Sequence, residues 1–101
     1  MASKKEIILM SKKTAGSQKT VEIMVGDEKK EFLLQHPGVR EGVQMRDRAK
    51  NINGHMVEEK LYDEYMKHVI VQPRVTWDDV EDMGNTAFNE LMKEASDFCM
   101  G

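Results

Sequence analysis

Apolar and polar side chains alternate with a period of two from Val21 to Val25, where Val21, Ile23 and Val25 interleave with Glu22 and Met24. That period marks a half-buried strand, because successive side chains of an extended backbone point to opposite faces. Gly26-Asp27-Glu28-Lys29 supplies turn chemistry, and Glu31 to Gln35 reads as the returning strand of a hairpin. A lone hairpin is marginal in water. It must therefore lie on helices or gain a strand from residues 5–10, where the apolar run Ile7-Ile8-Leu9-Met10 is available. His36-Pro37-Gly38 ends the second strand, since the residue before a proline avoids helical angles and proline suits the first helical position.

Beyond that turn the period changes to that of helices. From Val39 to about Lys50 a thin stripe of Val39, Val43 and Ala49 predicts a weakly amphipathic helix, and Asn51-Ile52-Asn53-Gly54 reads as a connector. In "HMVEEKLYDEYMKHVIV", Val57, Leu61, Tyr65, Met66, Val69 and Ile70 recur at three- and four-residue spacing. Glu58, Glu59, Asp63, Glu64 and Lys67 fill the other face. This helix is expected to run on until Pro73 stops it. Thr76-Trp77-Asp78-Asp79 is a helix start, with Thr76 and Asp79 spaced as a capping box. Val80 and Met83 point inward, Gly84-Asn85 breaks the helix, and a last helix from Thr86 to about Phe98 carries the stripe Phe88, Leu91, Met92, Ala95 and Phe98. The predicted fold is α+β: a small N-terminal antiparallel hairpin, of two or three strands, packed on three to four α-helices. A single domain spans residues 19–101, behind a polar segment 1–18 expected to be flexible around Gly16 and Ser17.

A chain of 101 residues can bury one modest core. Its 40% hydrophobic and 33% charged content suits a small soluble protein with a large wetted surface. No stretch approaches a membrane span, and Ile7–Met10 is too short for the core of a signal peptide, so the cytoplasm is the expected location. Cys99 is the single cysteine, which excludes an intramolecular disulfide and a cysteine-based metal cluster.

The net charge of −3 hides a division: residues 1–50 sum to +4 and residues 51–101 to −7. An acidic half repels phosphates, so nucleic acid is not the expected ligand, whereas self-association or docking on a charged partner is favoured. The basic stretch Arg40, Arg46, Arg48 and Lys50 is interleaved with Glu41 and Asp47 and has no aromatic stacking platform. It reads as a solvated helix face.

The search for reaction chemistry returns little. His36, His55 and His68 lack the i, i+4 spacing of a helical metal site; Glu64 and His68 share a helix face but are two ligands only. Asp78, Asp79, Glu81 and Asp82 lack the ligand spacing and glycine of a calcium loop and suit a helix N-terminus instead. No serine or cysteine stands in a nucleophile motif, and Gly38-Val-Arg-Glu-Gly42 has too few glycines to cradle a phosphate. An enzyme is not expected, and neither a cofactor nor a metal is implied.

What remains is surface. Nine methionines are spread over every element. Methionine adapts to irregular apolar shapes and is over-used where variable helical partners bind, although in so small a protein many of them simply fill the core. A partly exposed Met/Phe groove along the C-terminal helices is the expected partner-binding surface, with Met83, Phe88, Leu91, Met92, Phe98 and Met100 as its candidate residues.

"FLLQHPGVREGVQMRDRAKN" and "EEKLYDEYMKHVIVQPRVTWDDVED" resemble the tail assembly chaperones of long-tailed bacteriophages and related prophages of Gram-positive bacteria. The likeness covers about residues 20 to 83, and rests on a strand leading into Pro-Gly-Val-Arg, a helix ending at Val-Ile-Val, and then a proline, a basic residue and Thr-Trp-Asp. It implies a non-catalytic protein that binds the aggregation-prone tape measure protein, helps to recruit tail tube subunits, and is absent from the mature virion. In many such phages a frameshift adds a C-terminal extension, and an ending at "SDFCMG" fits the short form. Pro37 and Gly38 would join the hairpin to the helices, and Trp77 would anchor the corner between Pro73 and Asp79. The main alternative is a structural virion component, such as a tail-completion or head–tail joining protein, and a small nucleic-acid-binding regulator ranks behind it.

Overall fold

A computed structural model describes residues 14–100. Strands β1 (Gln18–Val25) and β2 (Glu28–Gln35) form the predicted antiparallel hairpin, with Val21 opposite Phe32. Gly26, at φ 63°, takes the first place of the two-residue turn, where a backbone that only glycine adopts freely matches the twist of the strands. The expected edge strand at Ile7–Met10 lies outside the described residues, as does most of the segment expected to be flexible. Of that segment, Thr14 to Ser17 form a turn closed by Ser17 N–H to Thr14 O at 3.0 Å.

Helix α1 (Val39–Arg48) follows the Pro37-Gly38 joint, α2 (Glu58–His68) follows the connector, and a short β3 (Ile70–Gln72) comes directly after α2. Helices α3 (Trp77–Met83) and α4 (Asn85–Met100) complete the chain. The architecture is therefore α+β, a three-stranded antiparallel sheet in the order β1-β2-β3 with four helices.

The third strand corrects the expectation that α2 runs on to Pro73. Val69 and Ile70 keep the helical spacing, but the β-branched side chains of residues 69–71 are as well suited to a strand. The open edge of β2 decides between the two: Ile70 pairs with Leu34, and Gln35 N–H donates to Val69 O at 2.8 Å. The helix therefore stops at His68.

One face of the sheet carries Val21, Ile23, Phe32, Leu34 and Ile70 into a core completed by Tyr65, Met66, Val69, Leu91 and Ala95 from the helices. Helix α4 lies against β1, and Lys19 Nζ reaches Glu94 at 3.6 Å at the margin of that contact. Helix α2 packs on β3, α1 and α4, and α3 packs on α4.

Helix α1 is rotated from its expected stripe. Val39 is 72% exposed and Val43 43%, while Gly42, Met45 and Ala49 are buried. The inward face is built from small residues around one methionine, which lets α1 approach Cys99 on α4 closely. The predicted connector holds: residues 50–56 close on themselves through a Lys50–Met56 bridge. The capping box also forms, with Asp79 N–H donating to Thr76 Oγ1 at 3.3 Å and Thr76 N–H donating to Asp79 Oδ2 at 2.9 Å. Gly84, at φ 87°, makes the predicted break between α3 and α4.

Candidate partner-binding groove

The six residues expected to form a partner-binding surface do not share one. Leu91, Met92 and Phe98 are buried, at 0%, 2% and 6% exposure. A chain this small needs its longest apolar stripe to face the sheet, so a partner cannot reach Leu91 or Phe98 without opening the core, and Met92 shows no more than an edge. Phe88 is half-buried between Tyr62 and Trp77, with ring centroids at 5.4 and 5.9 Å. Met83 is half-buried at the end of α3, and only Met100 is well exposed, at 51%.

A groove does run along the C-terminal half, but between α2 and α4. It encloses about 550 Å³ and is lined by Met56, Leu61, Tyr62 and Tyr65 on one side and by Met92 on the other. The two sides come together because α2 turns Tyr65 and Met66 inward while leaving Leu61 and Tyr62 half-covered. Asn89, Lys93, Ser96 and Asp97 line the α4 side and Glu58 the start of α2, so an apolar floor has a wet margin. At one end the Tyr65 hydroxyl donates to Met100 Sδ at 3.2 Å and lies 3.4 Å from Ser96 Oγ. Burial raises the Tyr65 pKa above the ordinary phenol value, partly offset by Ser96, which keeps the hydroxyl a proton donor.

The groove can therefore offer apolar area, an exposed and adaptable thioether at Met56 above the edge of Met92, and a few hydroxyl and amide groups at its margin. Met56, Leu61 and Tyr62 escaped the sequence reading for a plain reason. The face of Leu61 and Tyr62 is decided by which side of α2 meets α4, and periodicity fixes a face only relative to other residues of the same helix, while Met56 lies in the connector before α2 and carries no helical period.

Beneath α2, on its other flank, polar contacts fix its position. Arg48 Nε donates to Glu64, and Arg48 Nη2 donates to Glu41 at 2.7 Å. Glu64 is thus buried and bonded to α1, and does not stand on the solvated face expected from the sequence. Its neighbour in that expected pair, His68, is exposed. The hydrogen bond from Arg48, opposed by burial, holds the Glu41 carboxyl below its ordinary value. Trp77 Nε1 donates to Asp63 Oδ1 at 3.3 Å, so the indole ties α3 to α2 as well as packing on Phe88. The Asp63 pKa is lowered, first by Lys67 at 2.7 Å and also by that indole, against burial.

At the other anchor, Gly38 has φ 105° and donates its N–H to Nδ1 of the buried His36 at 3.0 Å. Pro37 is half-buried beside it, and Pro73 is exposed where β3 ends. Among the described residues, no three His, Cys, Asp or Glu side chains gather closely enough to hold a metal ion. Nor is any of their helices long and apolar enough to cross a membrane. No family model, curated protein or solved structure matches the chain.

Proposed function

We propose that this chain is a phage tail assembly chaperone, which binds the tape measure protein and helps to bring tail tube subunits to it. It acts without catalysis in the cytoplasm of the bacterial host and does not enter the mature virion. The observation that carries the reading is the methionine- and tyrosine-lined groove between α2 and α4. A groove with an apolar floor and a polar margin receives the apolar face of an amphipathic helix, and thioethers let it accept different sequences along a long helical client. The resemblance over residues 20 to 83 supplies the identity of that client.

Co-expression with the tape measure protein of the same tail gene cluster tests the reading. Soluble client that co-purifies with this chain, together with tails that lack the chain after purification, is the expected result. A client that aggregates regardless, with the chain present in purified tails, would make it a virion component.

A further inference from the structure

Among the large hydrophobic side chains that stand exposed, Ile52 is extreme, at 101% of its free accessibility. The loop beneath it is tied down. Asn51 Oδ1 accepts from Asn53 N–H at 2.9 Å and from His55 N–H at 3.0 Å, and Asn51 N–H donates to His55 O at 2.8 Å. A single exposed isoleucine is ordinary. Here, however, it is presented by a hydrogen-bonded tip, and the same molecule carries a cleft suited to receive it.

That cleft, of about 260 Å³, opens between the hairpin end and α3. Val25, Phe32, Val75 and Met83 give it an apolar lining with room for a four-carbon side chain. Asp79 and Asp82 on its rim balance Lys30 and Arg74, and the exposed Asp78 and Glu81 of the same helix tip the surroundings to negative. Helix α3 has four acids and no base. The stretch that leads to Ile52 has the opposite sign, since Arg40, Arg46, Arg48 and Lys50 outnumber Glu41 and Asp47. Lys50 leans on Asp47 at 3.5 Å, an exposed pair weak enough to be exchanged for another carboxylate.

We propose that Ile52 of one copy seats in this cleft on a second copy, with Lys50 beside the acids of α3. The loop and the cleft share no residue, so a docked pair still has one free tip and one free cleft. The contact is then heterologous and repeats head to tail, without closing into a symmetric dimer. Because it involves this chain alone, it stands or falls separately from the chaperone reading.

Sedimentation velocity of the full chain, over a concentration series reaching the millimolar range, tests it. The mass-average size is expected to rise with concentration and to fall as salt is added. Ile52→Asp and Met83→Arg should each remain monomeric, and their equimolar mixture should form a pair that grows no further, since one variant keeps only the cleft and the other only the tip. Asp82→Lys, at an exposed position, is a second cleft variant that leaves the apolar lining intact, and thermal melts confirm that each variant is folded. A wild-type chain that stays monomeric throughout would overturn the contact. So would self-association that survives Ile52→Asp, or a mixture of the Ile52→Asp chain with either folded cleft variant that stays monomeric.

Discussion

A Cβ added at Gly42 would lie 3.8 Å from both Arg46 Nη1 and Cys99 Sγ, at ordinary contact distance. Gly42→Ala therefore fits, and removing a mid-helix glycine is predicted to stabilise the chain by about 0.5–1 kcal/mol. Gly84 meets nothing within 4 Å, yet its φ of 87° and ψ of 166° belong to a region that only glycine occupies freely. Gly84→Ala should cost about 1–3 kcal/mol through backbone strain alone. Urea unfolding of the two variants, compared at equal slope, checks both signs. Arg48→Ala is predicted to lower the urea midpoint more than Glu41→Ala does, because it strips the buried Glu64 of its guanidinium partner.

Asp63 links stability to acidity. Its folded pKa lies below the ordinary 3.8, so its contribution is complete above that value and is lost as pH falls through the lower folded value. The group is partly exposed, and the contribution of an i, i+4 pair with Lys67 is about 0.3–0.5 kcal/mol. Asp63→Asn should flatten the acid limb of the stability curve and shift its neutral plateau only slightly, as read from thermal melts between pH 2 and 7.

Elements whose signals are local were legible in the sequence. The hairpin follows from alternation plus Gly26, the α3 start from Thr76 and Asp79, and the α3–α4 break from Gly84, because each depends on a few neighbouring residues. Thr76→Ala is accordingly predicted to cost about 1 kcal/mol, measured by chemical denaturation. What could not be read is where a distant partner decides. Residues 69–71 satisfy both a helix and a strand, and only β2 tells them apart. The face of α1 differs from the expected stripe because Gly42 does not announce burial by bulk, whereas Val39 and Val43 do; Ala49 is the member of that stripe that is buried. Ile70→Ala, at a side chain with 0% exposure beneath the sheet, should cost about 2–5 kcal/mol in the same assay and show that β3 belongs to the cooperative core.

The candidate groove was half legible for the same reason. An excess of methionine and the amphipathic C-terminal helices pointed to an adaptable apolar surface, but not to which residues remain open once the core is filled. Leu91 and Phe98 are closed into the core, and the surface that remains is shared by α2 and α4, with Met56 as its exposed thioether and the edge of Met92 on its floor. Because Met56 is well exposed, its side chain can be replaced without disturbing the core. The most direct measurement is co-purification of the tape measure protein with the wild-type chain, with a Met56→Glu variant, and with Arg40→Ala as a surface control. Loss of client from the methionine variant, with the control retaining it and all three chains melting alike, is the predicted result. Full retention by the methionine variant would contradict the assignment of client binding to this groove.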